Sequence, residues 1–278
     1  MAQRRSFARD YLKQEFDKLN TLTKYPLLLY LIGGGAMTFY GVKATTKDID
    51  IILTSQEDLN SLQTALTATG YREPTPVVIT RAYHEMQTSA ILENQDGFRW
   101  DLFLNKVCGK LTLSTDMQSR AKSLYQGSKL QVFIVSEEDI FLFKSITNRD
   151  ADLDDTRILA QSGLNWEIIS QECKSQSQKS ETSWEDALYQ TLQDLKTKYG
   201  IEAPIEKTIR KEAELKLITA VLLMQIERGN NTVNSIAKAI GESSNFVRIE
   251  LYKLVAKGSV VVDKSNKPHK FQLPYTTD

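Results

Sequence analysis

The chain has 278 residues, and 35 Lys plus Arg balance 35 Asp plus Glu to give a formal net charge of zero. No global field draws it to nucleic acid or anionic lipid, so any such binding must come from a local patch. Cys108 and Cys173 belong to no Cys-x-x-Cys pair, which speaks against a disulfide scaffold or a structural zinc site.

The N-terminal "MAQRRSFARDYLKQEF" has basic residues with no apolar core behind them, so it does not read as a signal peptide. The longest apolar runs fall far short of the roughly 20 residues of a membrane span. The expectation is a soluble cytoplasmic protein in a reducing compartment, with no membrane partner. Its length suits one large domain or two modest ones.

A helix is predicted over Phe7 to Leu19 and a strand over Leu27 to Ile32. Glycines 33 to 35 end that strand and permit a tight turn. "AMTFYG" then reads as a helix of one or two turns ended by Gly41. "DIDIIL" alternates before becoming wholly apolar, the pattern of a central strand with one end in a cleft. A helix over Asp58 to Ala68 follows, then extended segments at "PVVIT", "HEMQTSAIL", "FRWDLFLNKV" and "LQVFIV". "SEEDIFLFKSI" and "DLDDTRILAQSG" are helical, and the polar "QECKSQSQKSETS" reads as an exposed connection. Helices over Trp184 to about Lys198 and Ile205 to Glu227 lead into a C-terminal segment of different character. The expected division is 1–170, a connection and helix at 171–204, and 205–278.

The chemistry concentrates in the first part. Strand residues i and i+2 share a face, so Asp48 and Asp50 project together while Ile49 and Ile51 enter the opposite layer. Two neighbouring carboxylates raise the cost of ionising each other unless a cation offsets them. Magnesium, or manganese in its place, is the natural hard partner. A solvated strand end carrying two acids is the plainer alternative. Asp101 adds a third acid in mid-strand between Trp100 and Leu102, where burial is costly without a partner. If its strand lies beside "DIDIIL", three carboxylates converge, as metal-assisted phosphoryl transfer requires. Backbone N–H groups of the glycine turn could cradle phosphate oxygens, although "GGG" also serves as a plain strand–helix turn.

Strand, "GG-G-A", short helix, "T-x-D-I-D-I" and a later aspartate together resemble the nucleotidyltransferase superfamily, closest to its minimal and AbiEii-like, toxin-related branches. The resemblance spans about residues 25 to 165. It implies an α/β (α+β) mixed sheet flanked by helices and transfer of a nucleoside monophosphate from a nucleoside triphosphate. Gly33 and Gly34 fall on the phosphate-loop glycines and Thr46 on a threonine often found there. Asp48, Asp50 and Asp101 fall on the catalytic metal ligands, the last also helping to deprotonate the acceptor. Lys144, Arg149, Asp152 and Asp155 match the helical segment that follows the sheet. By spacing, Lys144 could reach triphosphate oxygens, with Arg149 a further nucleotide contact, or the group could be a salt-bridge network fixing the turn at "NRDAD". The sequence departs from the pattern at Ala44, where an arginine is common. Lys43 beside it is the substitute phosphate contact, without arginine's planar fork.

His84 and His269 lack ligand-spaced partners, and Cys108 has no evident base. No nucleophile elbow or Walker A sequence occurs. The C-terminal "TVNSIAKAIGESSNFVRIELYKLVAKGSVV" gives two helices turned at Gly241, with Val233, Ile236, Ala237, Ile240, Phe246, Ile249, Leu251 and Leu254 as apolar anchors. "GSVVVDKSNKPHKFQL" follows as a strand, basic turn and strand, and the whole resembles a winged helix-turn-helix. In a DNA-reading version Ser244, Asn245 and Arg248 face bases or phosphates, and Lys264 and Lys267 approach the backbone. From Asn231 to Asp278 seven Lys/Arg face four Asp/Glu, a modest excess of three.

Two functions compete at this level. One is a magnesium-dependent nucleotidyltransferase acting on an RNA, protein or small-molecule hydroxyl, with a toxin–antitoxin role among its biological forms. The other is a non-catalytic nucleotide- and DNA-binding transcriptional regulator. A homodimer through the long helix, or docking of a partner protein on the C-terminal module, fits either.

Overall fold

The computed structural model describes residues 5–74, 87–147, 150–180 and 182–274. Two compact units divide it, 1–207 and 208–278. "PVVIT", His84 and Arg149 lie outside the described residues.

In the first unit, helix α1 (Arg9–Leu22) leads to β1 (Leu27–Ile32), α2 (Gly33–Tyr40), β2 (Asp48–Leu53) and α3 (Gln56–Ala68). Strands β3 (Ala90–Glu93), β4 (Arg99–Leu104), β5 (Lys106–Val107) and β6 (Leu111–Thr112) follow. Then come α4 (Thr115–Arg120), β7 (Lys122–Gln126), β8 (Leu130–Ile134), α5 (Glu137–Thr147), α6 (Asp150–Ala160), α7 (Trp166–Ser180) and α8 (Trp184–Tyr199). Among the described residues, six strands form one mixed sheet in the order β3-β4-β2-β1-β8-β7. The pairs β2–β4 and β1–β8 are parallel, and β1–β2, β3–β4 and β7–β8 are antiparallel.

The centre of the sheet follows from its apolar runs. "LLLYLI" supplies β1 with side chains for both faces, and Ile49, Ile51, Trp100 and Leu102 are fully buried on one of them. Helix α1 covers that face with Leu12, Phe16 and Leu19, spaced on one helical stripe, and the Phe16 ring meets Trp100 edge-on at 6.1 Å. Ser55 caps α3 by accepting from Asp58 N at 3.0 Å. Phe7, expected inside the first helix, instead forms a bridge with Thr46 through two backbone hydrogen bonds of 2.7 and 2.9 Å.

Three local readings need correction. Helix α2 begins at Gly33, so the glycines form its first turn rather than a loop before it. The stretch "LTLSTDMQSRAKSLYQ" holds β6, α4 and the edge strand β7, none of them among the expected elements. "QECKSQSQKS" is not an exposed connection: it lies in α7, with Glu172, Cys173, Gln176 and Ser177 buried. Its buried polar side chains are satisfied within the fold. Glu172 accepts from Arg120 at 2.7 Å, Gln176 donates to the Thr112 carbonyl at 2.7 Å, and Ser177 donates to Glu185 at 2.6 Å.

In the second unit the core joins Leu222 and Ile226 of α9 (Glu206–Glu227) to Ile236 and Ala237 of α10 (Val233–Ile240). Val247, Leu251 and Leu254 of α11 (Ser244–Ala256) complete it with Val260 and Phe271. Strands β9 (Val261–Asp263) and β10 (Lys270–Gln272) form an antiparallel hairpin. A capping box at Thr232 and Ser235 starts α10, Gly241 ends it in the left-handed region, and Ser243 caps α11. Ile249, expected as an apolar anchor, is 47% exposed, because the buried stripe of α11 runs through Val247, Glu250, Leu251 and Leu254.

Candidate functional site

Strand register decides whether the three aspartates meet. Asp50 is the Cα partner of Asp101 in the parallel neighbour β4 and of Ile32 in the antiparallel neighbour β1. Register partners on adjacent strands point to the same face about 4.8 Å apart, and Asp48 shares that face one pleat away. Asp48, Asp50 and Asp101 therefore share the face opposite the layer that α1 covers. Asp48 and Asp50 are half-buried, whereas Asp101 is 1% exposed.

The glycine turn closes on this row because β1 runs straight into it. Gly33 has φ +62°, and a Cβ there would collide with the Asp50 carboxylate, lying 2.7 Å from its Cγ. Only glycine gives both the left-handed backbone and the space. A Cβ on Gly34 would come within 2.8 Å of Thr46 Oγ1 and 3.7 Å of Lys43 Nζ. Thr46 Oγ1 donates to the Asp48 carbonyl oxygen at 3.0 Å, tying the connecting loop to the start of β2. Gly33, Gly34, Lys43, Thr46, Asp48, Asp50 and Asp101 thus gather from four elements around one strand end.

Gly33→Ala is expected to destabilise the protein more than Gly41→Ala. Both place a side chain in the left-handed region, at about 1–2 kcal/mol, but nothing lies within 4 Å of a Cβ on Gly41. Urea denaturation of the two variants measures the difference. Equal losses would mean that the Asp50 carboxylate yields without cost.

Lys144 sits elsewhere than open solvent. Its side chain, 8% exposed, donates to Asp152 Oδ1 at 2.9 Å and pairs with Asp155 Oδ2 at 2.8 Å, while Thr147 donates to Asp152 Oδ2 at 2.9 Å. Burial opposes its charge, yet the two carboxylates outweigh burial and raise its pKa. Lys43 donates to both oxygens of the same Asp155, at 2.9 and 3.1 Å. Burial would raise the Asp155 pKa, but Lys144 and then Lys43 hold it below the ordinary carboxylate range.

Arg99 was missed by sequence reasoning. It is 2% exposed, is the Cα partner of Asp48, and binds Glu93 across β3–β4 through Nε. Its signal was present: a second charge two residues before Asp101, hence on the same strand face.

Three carboxylates on one face suit a hard divalent cation in donor type and backbone placement. Their side chains are not drawn together as they stand: among the described residues, no group of three or more His, Cys, Asp or Glu is placed to hold a metal ion. No described helix is long and apolar enough to cross a membrane.

In the second unit Asn245 and Arg248 are exposed on α11, and Lys264 and Lys267 are exposed on the hairpin turn. Ser244 is half-buried and donates to Asn234 at 3.0 Å, and Lys264 lies over the Tyr252 ring at 5.9 Å.

A family model described as a nucleotidyltransferase of unknown function (DUF6036) matches residues 10–202. No curated protein matches the chain.

Proposed function

The chain belongs to the DUF6036 family, nucleotidyltransferases of unknown function, and from that membership we propose that it transfers a nucleoside monophosphate from a nucleoside triphosphate to a hydroxyl acceptor. The observation that carries this reading is the register of Asp50 with Asp101 beside the Gly33 turn.

Asp48, Asp50 and Asp101 would hold magnesium, or manganese, which when bound supplies Lewis-acid stabilisation of the charge on the transferred phosphoryl group. Asp101, the most enclosed of the three, accepts the proton of the attacking hydroxyl. Gly33 and Gly34 let phosphate oxygens approach the backbone at the start of α2. Thr46 fixes the loop that carries Lys43, and Lys43 neutralises the triphosphate. Lys144, enclosed by two aspartates, acts on the phosphates only through Asp155, which it shares with Lys43.

Helices α10 and α11 with the β9–β10 hairpin form a winged helix-turn-helix in this reading, with α11 and the hairpin turn as its nucleic-acid face. Exposed Asn245, Arg248, Lys264 and Lys267 favour it, and the module points to RNA as acceptor. A DNA-binding regulator without turnover is the second reading, favoured by the same four residues.

The test uses each of the four α-labelled nucleoside triphosphates with magnesium and total cellular RNA. Release of pyrophosphate with label on the RNA is the expected result. No release from any of the four, with RNA or the protein itself as acceptor, sinks the enzyme reading, and nucleotide-independent binding to one DNA sequence then supports the regulator.

A further inference from the structure

We propose that Asp155 is a positioning residue for the triphosphate, holding the Lys43 ammonium over the glycine turn while Lys144 balances its charge. The inference rests on the nucleotidyltransferase reading and adds to it a residue of α6, distant in sequence from the carboxylates and the glycines.

Lys43 lies on the loop between α2 and β2, 112 residues from Asp155. Its ammonium sits 3.7 Å from where a side chain on Gly34 would begin, so it already overhangs the turn assigned to the phosphates. A free lysine samples many rotamers, and fixing it takes a partner. Asp155 supplies one by accepting from Lys43 through both oxygens, at 2.9 and 3.1 Å. An ammonium has three N–H donors, so one remains for a phosphate oxygen, and the Lys43 side chain is 34% exposed to an incoming ligand.

A purely structural role accounts for only part of this arrangement. Lys144, at 2.8 Å from Asp155 and 2.9 Å from Asp152, is buried and joins α5 to α6 together with Thr147, without Lys43. Lys43 comes from the loop between α2 and β2 and belongs to neither helix of that junction. What Lys43 gains from Asp155 is a place. Lys144 also keeps Asp155 compensated whenever Lys43 turns toward a phosphate, so the ligand need not compete against a carboxylate left bare. The two lysines divide the work: the buried one sets the charge of Asp155, and the exposed one is aimed by it.

The test is calorimetric titration with inorganic tripolyphosphate and magnesium, a probe common to every nucleoside triphosphate and independent of turnover. Lys43→Met and Asp155→Asn are each expected to weaken binding about tenfold, the scale of one hydrogen bond to a charged group. The double variant should be no weaker than Lys43→Met alone, because Asp155 acts only through that lysine. Asp152→Asn removes the same charge from Lys144 but leaves the Lys43–Asp155 contact, and it should lower thermal stability with less than a twofold change in binding. Equal weakening by Asp152→Asn and Asp155→Asn, or additive losses in the double variant, would overturn the inference. So would unchanged binding by Lys43→Met, which leaves the nucleotidyltransferase reading standing. A wild-type protein that does not bind magnesium tripolyphosphate at all removes both.

Discussion

Asp101→Asn is expected to lower turnover about a thousandfold, within the range for loss of a positioned general base, while the protein stays folded. Asparagine keeps the shape of the buried side chain and removes only the charge that accepts a proton. Asp101 shares its face with Asp50, its register partner, and with Asp48, so the variant also removes one of three like charges from that face. Without metal, the variant should therefore be as stable as wild type or slightly more so, the usual relation between an active site and stability. Turnover by pyrophosphate release and unfolding in urea separate the two effects. A variant that keeps a third of wild-type turnover would remove Asp101 from the chemistry. One that unfolds would make it a structural acid.

Lys144→Met carries the largest expected loss of stability, about 3–5 kcal/mol, because removing one partner of a buried pair leaves uncompensated charge behind. Asp152 and Asp155 are both buried against this ammonium, and Asp155 retains Lys43, which places the loss toward the lower end. The difference should also depend on pH. The depressed Asp155 pKa contributes stability that is complete above the ordinary unfolded value of about 3.9. It is lost as pH falls through that value and then through the lower folded one. The raised Lys144 pKa contributes stability below about 10.4 that disappears at still higher pH. Urea midpoints of wild type and variant should thus differ by a constant amount from about pH 5 to 9 and converge below about pH 4. A gap under about 1 kcal/mol at neutral pH, or one unchanged at pH 3, would show that the network does not carry the α5–α6 junction.

Local repetition fixed a good deal in advance. The spacing of Asp48 and Asp50 places them on one face of any extended segment, whatever surrounds it, because strand periodicity belongs to the backbone. The run "LLLYLI" lies in a strand from Leu27 to Ile32, as its apolar content demands. The two helices and the hairpin of the second unit fall where Gly241, Ser243 and the basic turn indicate. Capping and turn preferences are short-range, so a few residues suffice to express them.

Other features belong to contacts between distant segments. Whether Asp101 meets Asp50 depends on β4 lying parallel to β2 in one particular register, and a slip of one residue would turn Asp101 into the opposite layer. The polar run at 171–180 reads as solvent-facing because hydrophilic composition and exposure usually go together. Arg120, Thr112 and Glu185 satisfy Glu172, Gln176 and Ser177 within the fold instead. The pairing of Lys144 with Asp152 and Asp155 is the salt-bridge alternative that the spacing at "NRDAD" offered, but nothing in the sequence marks Lys43 as sharing Asp155, since that contact spans 112 residues of chain. The sequence by itself therefore determined which groups share a strand face or end a helix. The tertiary structure decided which of them meet, because pairing of distant segments is selected by the packing of the whole sheet and not by the dihedral preferences of either segment.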